Sequence, residues 1–158
     1  MPLRTFALSL AILSVAACTP RKIPGTELDD KTETRAILDV MEKYRSALEA
    51  KDADTIVALA DASFNDNGGS ASPDDDYNYQ DLQTKLPNTL RKLGDVRLEF
   101  QVRRIELNED ENAARATYTY TQSYTLPGLQ AKKQSNTEIK QMILKKVDKK
   151  VWKIVSGV

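Results

Sequence analysis

Apolar residues between positions 32 and 93 recur every three to four places, the spacing of helices that bury one face. The pattern predicts one helix over 32–50, a second from Asp52 or Asp54 to Ala60, and a third over 80–93. Pro87 lies inside the third helix and must kink or divide it, because proline lacks the backbone N–H that a helix interior needs.

From residue 96 the apolar period falls to two, which indicates strands with one buried face. Apolar residues occupy even positions from Val96 to Val102 but odd positions at Ile105 and Leu107. The alternation therefore slips by one residue at Arg103-Arg104, which predicts a β-bulge. Three more strands follow, with turns predicted at 127–128 and 148–150.

Helices followed by four strands with short turns predict an α+β fold with an antiparallel sheet. The run Tyr44–Asp61 (YRSALEAKDADTIVALAD) and the closing hairpin Lys149–Gly157 (KKVWKIVSG) resemble the nuclear transport factor 2-like superfamily. The resemblance covers 32–158 and implies a cone-shaped α+β barrel, with three N-terminal helices packed on a curved antiparallel sheet. This superfamily includes isomerases, epoxide hydrolases, cyclases, dehydratases and many members that only bind or associate.

The first 18 residues have the pattern of an export signal. Arg4 precedes the apolar run 6–17, whose length is typical of a signal-peptide core. The run ends in Val15-Ala16-Ala17-Cys18, which resembles the lipobox of bacterial lipoproteins. We therefore expect 1–17 to be a signal peptide and Cys18 to be the lipidated residue.

Lipid on Cys18 would hold the protein on a membrane, because each buried methylene contributes about 0.8 kcal/mol. Residues 18–31 contain prolines, a glycine and scattered charges and are expected to form a tether that reaches at most about 45 Å. Thr19 stands where an aspartate would favour the inner membrane. The expected location is therefore the bacterial cell envelope, on the outer membrane and facing the periplasm.

The composition excludes several kinds of site. The chain has no histidine, which excludes Ser-His-Asp and Cys-His sites and the commonest zinc ligand. Cys18 is the only cysteine, so the folded part has no catalytic thiol. The acidic loop 65–78 fails as an EF-hand, since Ser63 and Asp74 stand where aspartate and a bidentate glutamate belong. We predict no metal site and no cofactor.

The sharpest enzymatic hypothesis is a similarity to ketosteroid isomerase. That family uses a tyrosine of its first helix as a donor to an enolate oxygen, and Tyr44 in an M-x-x-Y run matches it. The family's proton-moving aspartate is matched by Asp66 in F-N-D-N-G, although Asn67-Gly68 replaces the usual proline. No acid on the sheet is assigned to the third role, because Glu99 lies on the polar face of its strand and the pattern does not place Glu138. We therefore predict that the domain is not an enzyme of this kind.

Four aromatic side chains are predicted to line the interior between helices and sheet: Tyr44, Tyr118, Tyr120 and Trp152. In the simpler interpretation Tyr44 is a core residue and Asp66 begins a solvated loop. The leading functional hypothesis is a non-catalytic envelope lipoprotein that binds a small apolar ligand or an envelope protein. The alternative is a small-molecule isomerase or hydrolase that uses the interior pocket.

Charge separates along the chain. Residues 27–81 hold 15 acidic and 5 basic side chains, whereas 82–158 hold 15 basic and 8 acidic ones. The outer sheet face is expected to carry a set of basic residues: Arg97, Arg115, Lys140, Lys145, Lys146, Lys149 and Lys153. The simpler interpretation is that they are solvated side chains that protect strand edges. The alternative is that they meet anionic lipid headgroups or an acidic partner. Nucleic acid is not expected as a partner outside the cytoplasm, and a homodimer through the sheet is a further hypothesis.

Overall fold

The computed structural model describes residues 20–67, 76–125 and 133–157. These ranges contain the helices α1 (Thr32–Glu49), α2 (Ala53–Leu59), α3 (Tyr79–Thr84) and α4 (Leu86–Lys92). They also contain the strands β1 (Asn65–Asp66), β2 (Tyr77–Asn78), β3 (Val96–Leu107), β4 (Ala113–Thr125), β5 (Lys133–Asp148) and β6 (Val151–Ser156). The predicted α+β order is confirmed. The signal region, Cys18 and the turn predicted at 127–128 lie outside the described residues.

The third predicted helix is divided in two, as Pro87 requires. α3 ends at Thr84 and α4 begins at Leu86, with Pro87 in its first turn, where a missing N–H breaks no helical bond. α3 begins with a capping box in which the side chains of Asn78 and Asp81 each accept the other's backbone N–H. Both short helices are therefore set by local sequence signals.

The strands β3, β4, β5 and β6 form one antiparallel sheet in that order. The predicted bulge is confirmed, because the pairing of β3 with β4 shifts between Val102 and Arg104 and leaves Arg103 without a ladder partner. The outer edge of β3 is tied to α1, since the Leu98 N–H donates to Glu49 Oε1 over 2.9 Å.

The core lies between the helices and one face of this sheet, called the inner face below. α1 contributes buried residues at the predicted helical spacing: Ile37, Val40, Met41, Tyr44, Ala47 and Leu48. The inner face contributes alternate strand residues: Leu98, Ala116, Tyr118, Tyr120, Met142, Leu144, Trp152 and Ile154. Burial of this apolar area, at about 25 cal/mol per Å², is the main stabilising contribution. In the described part of the chain, each helix is too short or too polar to span a membrane.

The segment expected to be an extended tether is folded from residue 20 onward. Ile23 and Thr26 close a turn over 3.0 Å around Pro24-Gly25, with Gly25 at φ +78°, the geometry that a type II turn requires. Lys22 and Asp29 then form an antiparallel bridge and a 2.7 Å ion pair. Residues 20–31 are called the N-terminal hairpin below. The reach of about 45 Å is the upper limit for a fully extended chain, and residues 20–31 are more compact than that because they turn and pair.

Candidate functional site

Four aromatic rings form a contiguous cluster on the inner face. Phe100 lies at its centre, with ring centroids 6.1 Å from Tyr44, 4.9 Å from Tyr118 and 5.7 Å from Tyr120. Tyr44, Tyr118 and Tyr120 are buried, whereas Phe100 is half-buried. The sequence reasoning missed Phe100 as a site residue, because only the strand register places it opposite Tyr120.

Trp152 is buried but takes part in a different contact. Its indole N–H donates to Glu33 Oε2 over 3.0 Å, and Lys146 Nζ donates to Glu33 Oε1 over 2.9 Å. These two hydrogen bonds, from Lys146 first, hold the pKa of the Glu33 carboxyl below its usual range. The Trp152 contact joins the first turn of α1 to β6 and therefore serves the fold.

Asp66 is held beside the aromatic cluster by the end of the chain. Its Oδ2 accepts the Gly157 N–H over 2.5 Å, and the Tyr118 hydroxyl donates to the Gly157 carbonyl over 3.0 Å. Gly157 has φ +91°, and a Cβ there would lie 1.8 Å from the Gln141 carbonyl oxygen. Only glycine fits this position, so the approach of Asp66 to Tyr118 depends on it.

The charge of Asp66 acts on the buried hydroxyl of Tyr44, but burial has the larger effect. Burial raises the pKa of Tyr44 well above its usual value, and Tyr120, Tyr118 and Asp66 raise it further. Burial likewise raises the pKa of Tyr118, followed by the effects of Tyr120 and Asp66. Both phenols therefore stay protonated at neutral pH, near a carboxylate. Among the described residues, the Tyr44 hydroxyl makes no hydrogen bond.

The inner face becomes polar beyond the aromatic cluster. A group called the polar rim below consists of Gln122, Asn136, Glu138 and Lys140. The Tyr120 hydroxyl donates to Gln122 Oε1 over 2.9 Å, and Lys140 Nζ lies 4.6 Å from the centroid of the Tyr120 ring. Burial, and then the charge of Glu138, raise the pKa of Tyr120 to about 12.

Two of the lysines expected on the outer face point inward. Lys140 pairs with Tyr118, and Lys146 pairs with Trp152, across antiparallel ladders whose directly opposed side chains share a face. The expectation was wrong because it did not take into account that successive strand residues face opposite sides of the sheet. Met142 is buried on the inner face, so Lys140, two residues away, faces inward as well. Lys145 and Lys153 do lie on the outer face, where they are opposite each other.

Ser63, Lys145 and Asp61 form a cluster that resembles a serine–lysine dyad but is ion-paired. Lys145 Nζ lies 2.8 Å from Asp61 Oδ1 and 3.2 Å from Ser63 Oγ. Hydrogen bonds from Lys145 and then Ser63 lower the pKa of Asp61 to about 2. Because Lys145 is ion-paired with Asp61, it is not available as a base for Ser63, and this cluster is structural. In the described part of the chain, no group of acidic side chains could hold a metal ion.

Two open clefts are lined in part by residues of the N-terminal hairpin. One cleft of about 700 Å³ is lined by Leu28, Leu38 and Phe100, among others. The other, of about 390 Å³, has a largely charged lining that includes Arg104. Leu28 lines both clefts and is buried.

Comparison with solved structures identifies the architecture. A nuclear transport factor 2-like superfamily protein from Salmonella enterica serovar Typhimurium strain LT2 is 15% identical to this chain. Its TM-score is 0.66, over 80% of this chain and 88% of that one. This chain has the nuclear transport factor 2-like fold. No protein-family model matches the sequence. No curated protein matches it either.

Other structures with this fold carry different names. A Novosphingobium aromaticivorans protein named as a scytalone dehydratase is 17% identical, with a TM-score of 0.63 over 79% of this chain and 80% of that one. A Xanthomonas campestris protein named for the association domain of calcium/calmodulin-dependent protein kinase II is 15% identical. Its TM-score is 0.64, over 88% of this chain and 91% of that one. One name denotes an enzyme and the other an assembly domain, so the fold alone does not choose between these classes.

Proposed function

We propose that the protein is a lipid-anchored cell-envelope protein whose interior binds a small molecule without transforming it. The anchor is Cys18, for which Val15-Ala16-Ala17 supplies the recognition sequence. The ligand would occupy the inner face between the aromatic cluster and the polar rim. Such a mixed lining of aromatic and polar groups is typical of small-molecule sites.

The observation that carries this proposal is that two of the groups suited to chemistry, Asp66 and Tyr118, are already hydrogen-bonded, and that the third, Tyr44, is buried. The Asp66 carboxylate accepts the Gly157 N–H, and Tyr118 donates to the same residue's carbonyl. Tyr44 is 5% exposed and lies against Phe100. A proton-transfer site needs a base and oxyanion donors that converge on one substrate atom. Asp66 and Tyr118 bond to the backbone of Gly157 and not to a shared substrate position, which supports a role in structure and binding.

Calorimetric titration of the purified full chain with 2-naphthamide tests the binding part of the proposal. We expect saturable binding that Phe100→Leu weakens, because this change removes the central ring of the cluster. Ile139→Val serves as the control, since Ile139 is 66% exposed, and it should leave the affinity unchanged. Affinity that Phe100→Leu does not alter would place the ligand elsewhere.

An isomerase or hydrolase is the second candidate, favoured by one observation. The charge of Asp66 raises the pKa of both Tyr44 and Tyr118, after larger effects of burial and of neighbouring tyrosines. A base and its two oxyanion donors would be arranged near one another in this way. Asp66 is also better held than its loop sequence implies, because it pairs with Tyr77 in β1 and β2. The named dehydratase among the similar structures is compatible with this candidate.

Proton exchange separates the two candidates. Cyclohex-3-en-1-one incubated with the full chain should isomerise and exchange deuterium only at the buffer rate if the protein is a binder. Activity that Asp66→Asn abolishes, with the circular dichroism spectrum unchanged, would establish the enzyme. Activity that survives both Asp66→Asn and Tyr44→Phe would come from a contaminant or another site.

A further inference from the structure

Lys140 differs from Lys145 and Lys146, two other lysines of β5, in what surrounds its charge. Lys145 Nζ lies 2.8 Å from Asp61, and Lys146 Nζ lies 2.9 Å from Glu33. In the part of the chain that the structure describes, no ion pair includes Lys140. Its Nζ instead lies over the face of the Tyr120 ring, 4.6 Å from the ring centroid. Lys140 is therefore an inward-facing, half-buried ammonium without a counter-ion there.

The carboxylate nearest along the same face of β5 is engaged otherwise. Glu138 Oε1 accepts the side-chain amide of Asn136, and Glu138 is exposed. It forms no ion pair with Lys140, although the two residues are only one pleat apart. Within the polar rim, Lys140 and Glu138 are therefore not paired, and Lys140 is the more buried of the two.

An ammonium without a counter-ion, on a side chain that is only partly exposed, favours an anion as its partner. Aromatic rings adjoin it, since Tyr120 touches both Lys140 and Phe100. We propose that the ligand of this interior is an organic anion with an apolar ring, whose carboxylate pairs with Lys140 and whose ring packs toward the aromatic cluster. This inference rests on the proposed function and names the ligand class for the same site.

The probes are 2-naphthoate and 2-naphthamide, which share a ring system and differ in charge. Titrated calorimetrically into the full chain, the naphthoate should bind at least about tenfold more tightly than the amide, a difference of about 1.4 kcal/mol. Lys140→Met should remove this preference by lowering the affinity for the naphthoate to about that for the amide, both measured on the same variant. Lys140→Arg should retain it, because the charge is kept.

Lys149→Met is the matched control, since Lys149 is an exposed turn residue, and it should retain the full preference. Equal affinity for the two probes, or a preference that Lys140→Met leaves intact, overturns the role of Lys140 while interior binding stands. Absence of binding by both probes overturns the proposed function together with this inference. Circular dichroism and thermal melts of each variant confirm that the fold is kept.

Discussion

The Trp152 indole N–H donates to the Glu33 carboxylate over 3.0 Å, which ties the last strand to the first turn of the first helix. Trp152 is 2% exposed, so removal of its acceptor leaves a buried donor unsatisfied. We expect Glu33→Ala to lower the free energy of unfolding by about 1–3 kcal/mol. Urea titration measures this loss. Glu42→Ala, at an exposed position of the same helix, should change it by about 0.5 kcal/mol or less.

Asp61 makes the stability depend on pH in the acid range. Its pKa, ordinarily 3.8, is lowered to about 2 by hydrogen bonds from Lys145 and Ser63. Since the folded-state pKa lies below the unfolded one, the stabilisation is complete above about pH 4 and is lost as the pH falls through about 2. Asp61→Asn should flatten the fall in unfolding free energy across this window. Lys145→Met should flatten it as well, and an unchanged slope in Lys145→Met would contradict this account.

Tyr44 is predicted to stabilise the fold through its ring. Because the ring is buried against Phe100, Tyr44→Ala should lower the unfolding free energy by about 3–5 kcal/mol. Tyr44→Phe should cost less than about 1 kcal/mol, since the hydroxyl makes no hydrogen bond among the described residues. A loss below about 1 kcal/mol for Tyr44→Ala would show that the ring is not part of the core.

Two glycines with positive φ provide a matched test of the contact that holds Asp66. Gly157→Ala should cost about 3–5 kcal/mol, because the new Cβ adds a clash with the Gln141 carbonyl to the cost of the left-handed backbone. Gly25→Ala should cost only about 1–2 kcal/mol, since open space surrounds that position. Thermal melts compare the two variants, and equal losses would mean that the close approach at Gly157 relaxes without cost.

Cys18 is predicted to be the lipid attachment site. Cys18→Ser should abolish acylation and leave the precursor uncut by lipoprotein signal peptidase. Labelling cells with an alkyne fatty acid and fractionating their membranes measures both effects. A Thr19→Ser variant should be labelled and cut normally. If Cys18→Ser protein is still cut and still acylated, the lipobox assignment is wrong.

Features encoded by neighbouring residues could be predicted from the sequence. The slip in alternation at Arg103 located the bulge, and Pro87 located the division between α3 and α4. Both follow from backbone rules that act within a few residues. The helical spacing on α1 similarly placed Tyr44 in the core.

Features that depend on distant partners were missed. Phe100 meets Tyr120 only through the register of β3 on β4, and Asp66 meets Gly157 across 91 residues of chain. The inward direction of Lys140 could have been predicted from the sequence, because residues two apart on a strand share a face and Met142 is buried. The pairing of Lys22 with Asp29 could not be predicted, because the sequence of residues 20–31 has no pattern that distinguishes a hairpin from a charged linker.

The N-terminal hairpin bears on how the protein would search for its partners. Residues 20–31 fold back on themselves, so a lipid attached to Cys18, as proposed, would be joined to the folded body through Thr19, at most about 7 Å of chain. The domain would then stay close to the bilayer surface and diffuse with its lipid anchor, instead of moving freely at the end of a long flexible linker. Its ligands and partners would have to arrive at the membrane, where lateral diffusion in two dimensions governs encounter.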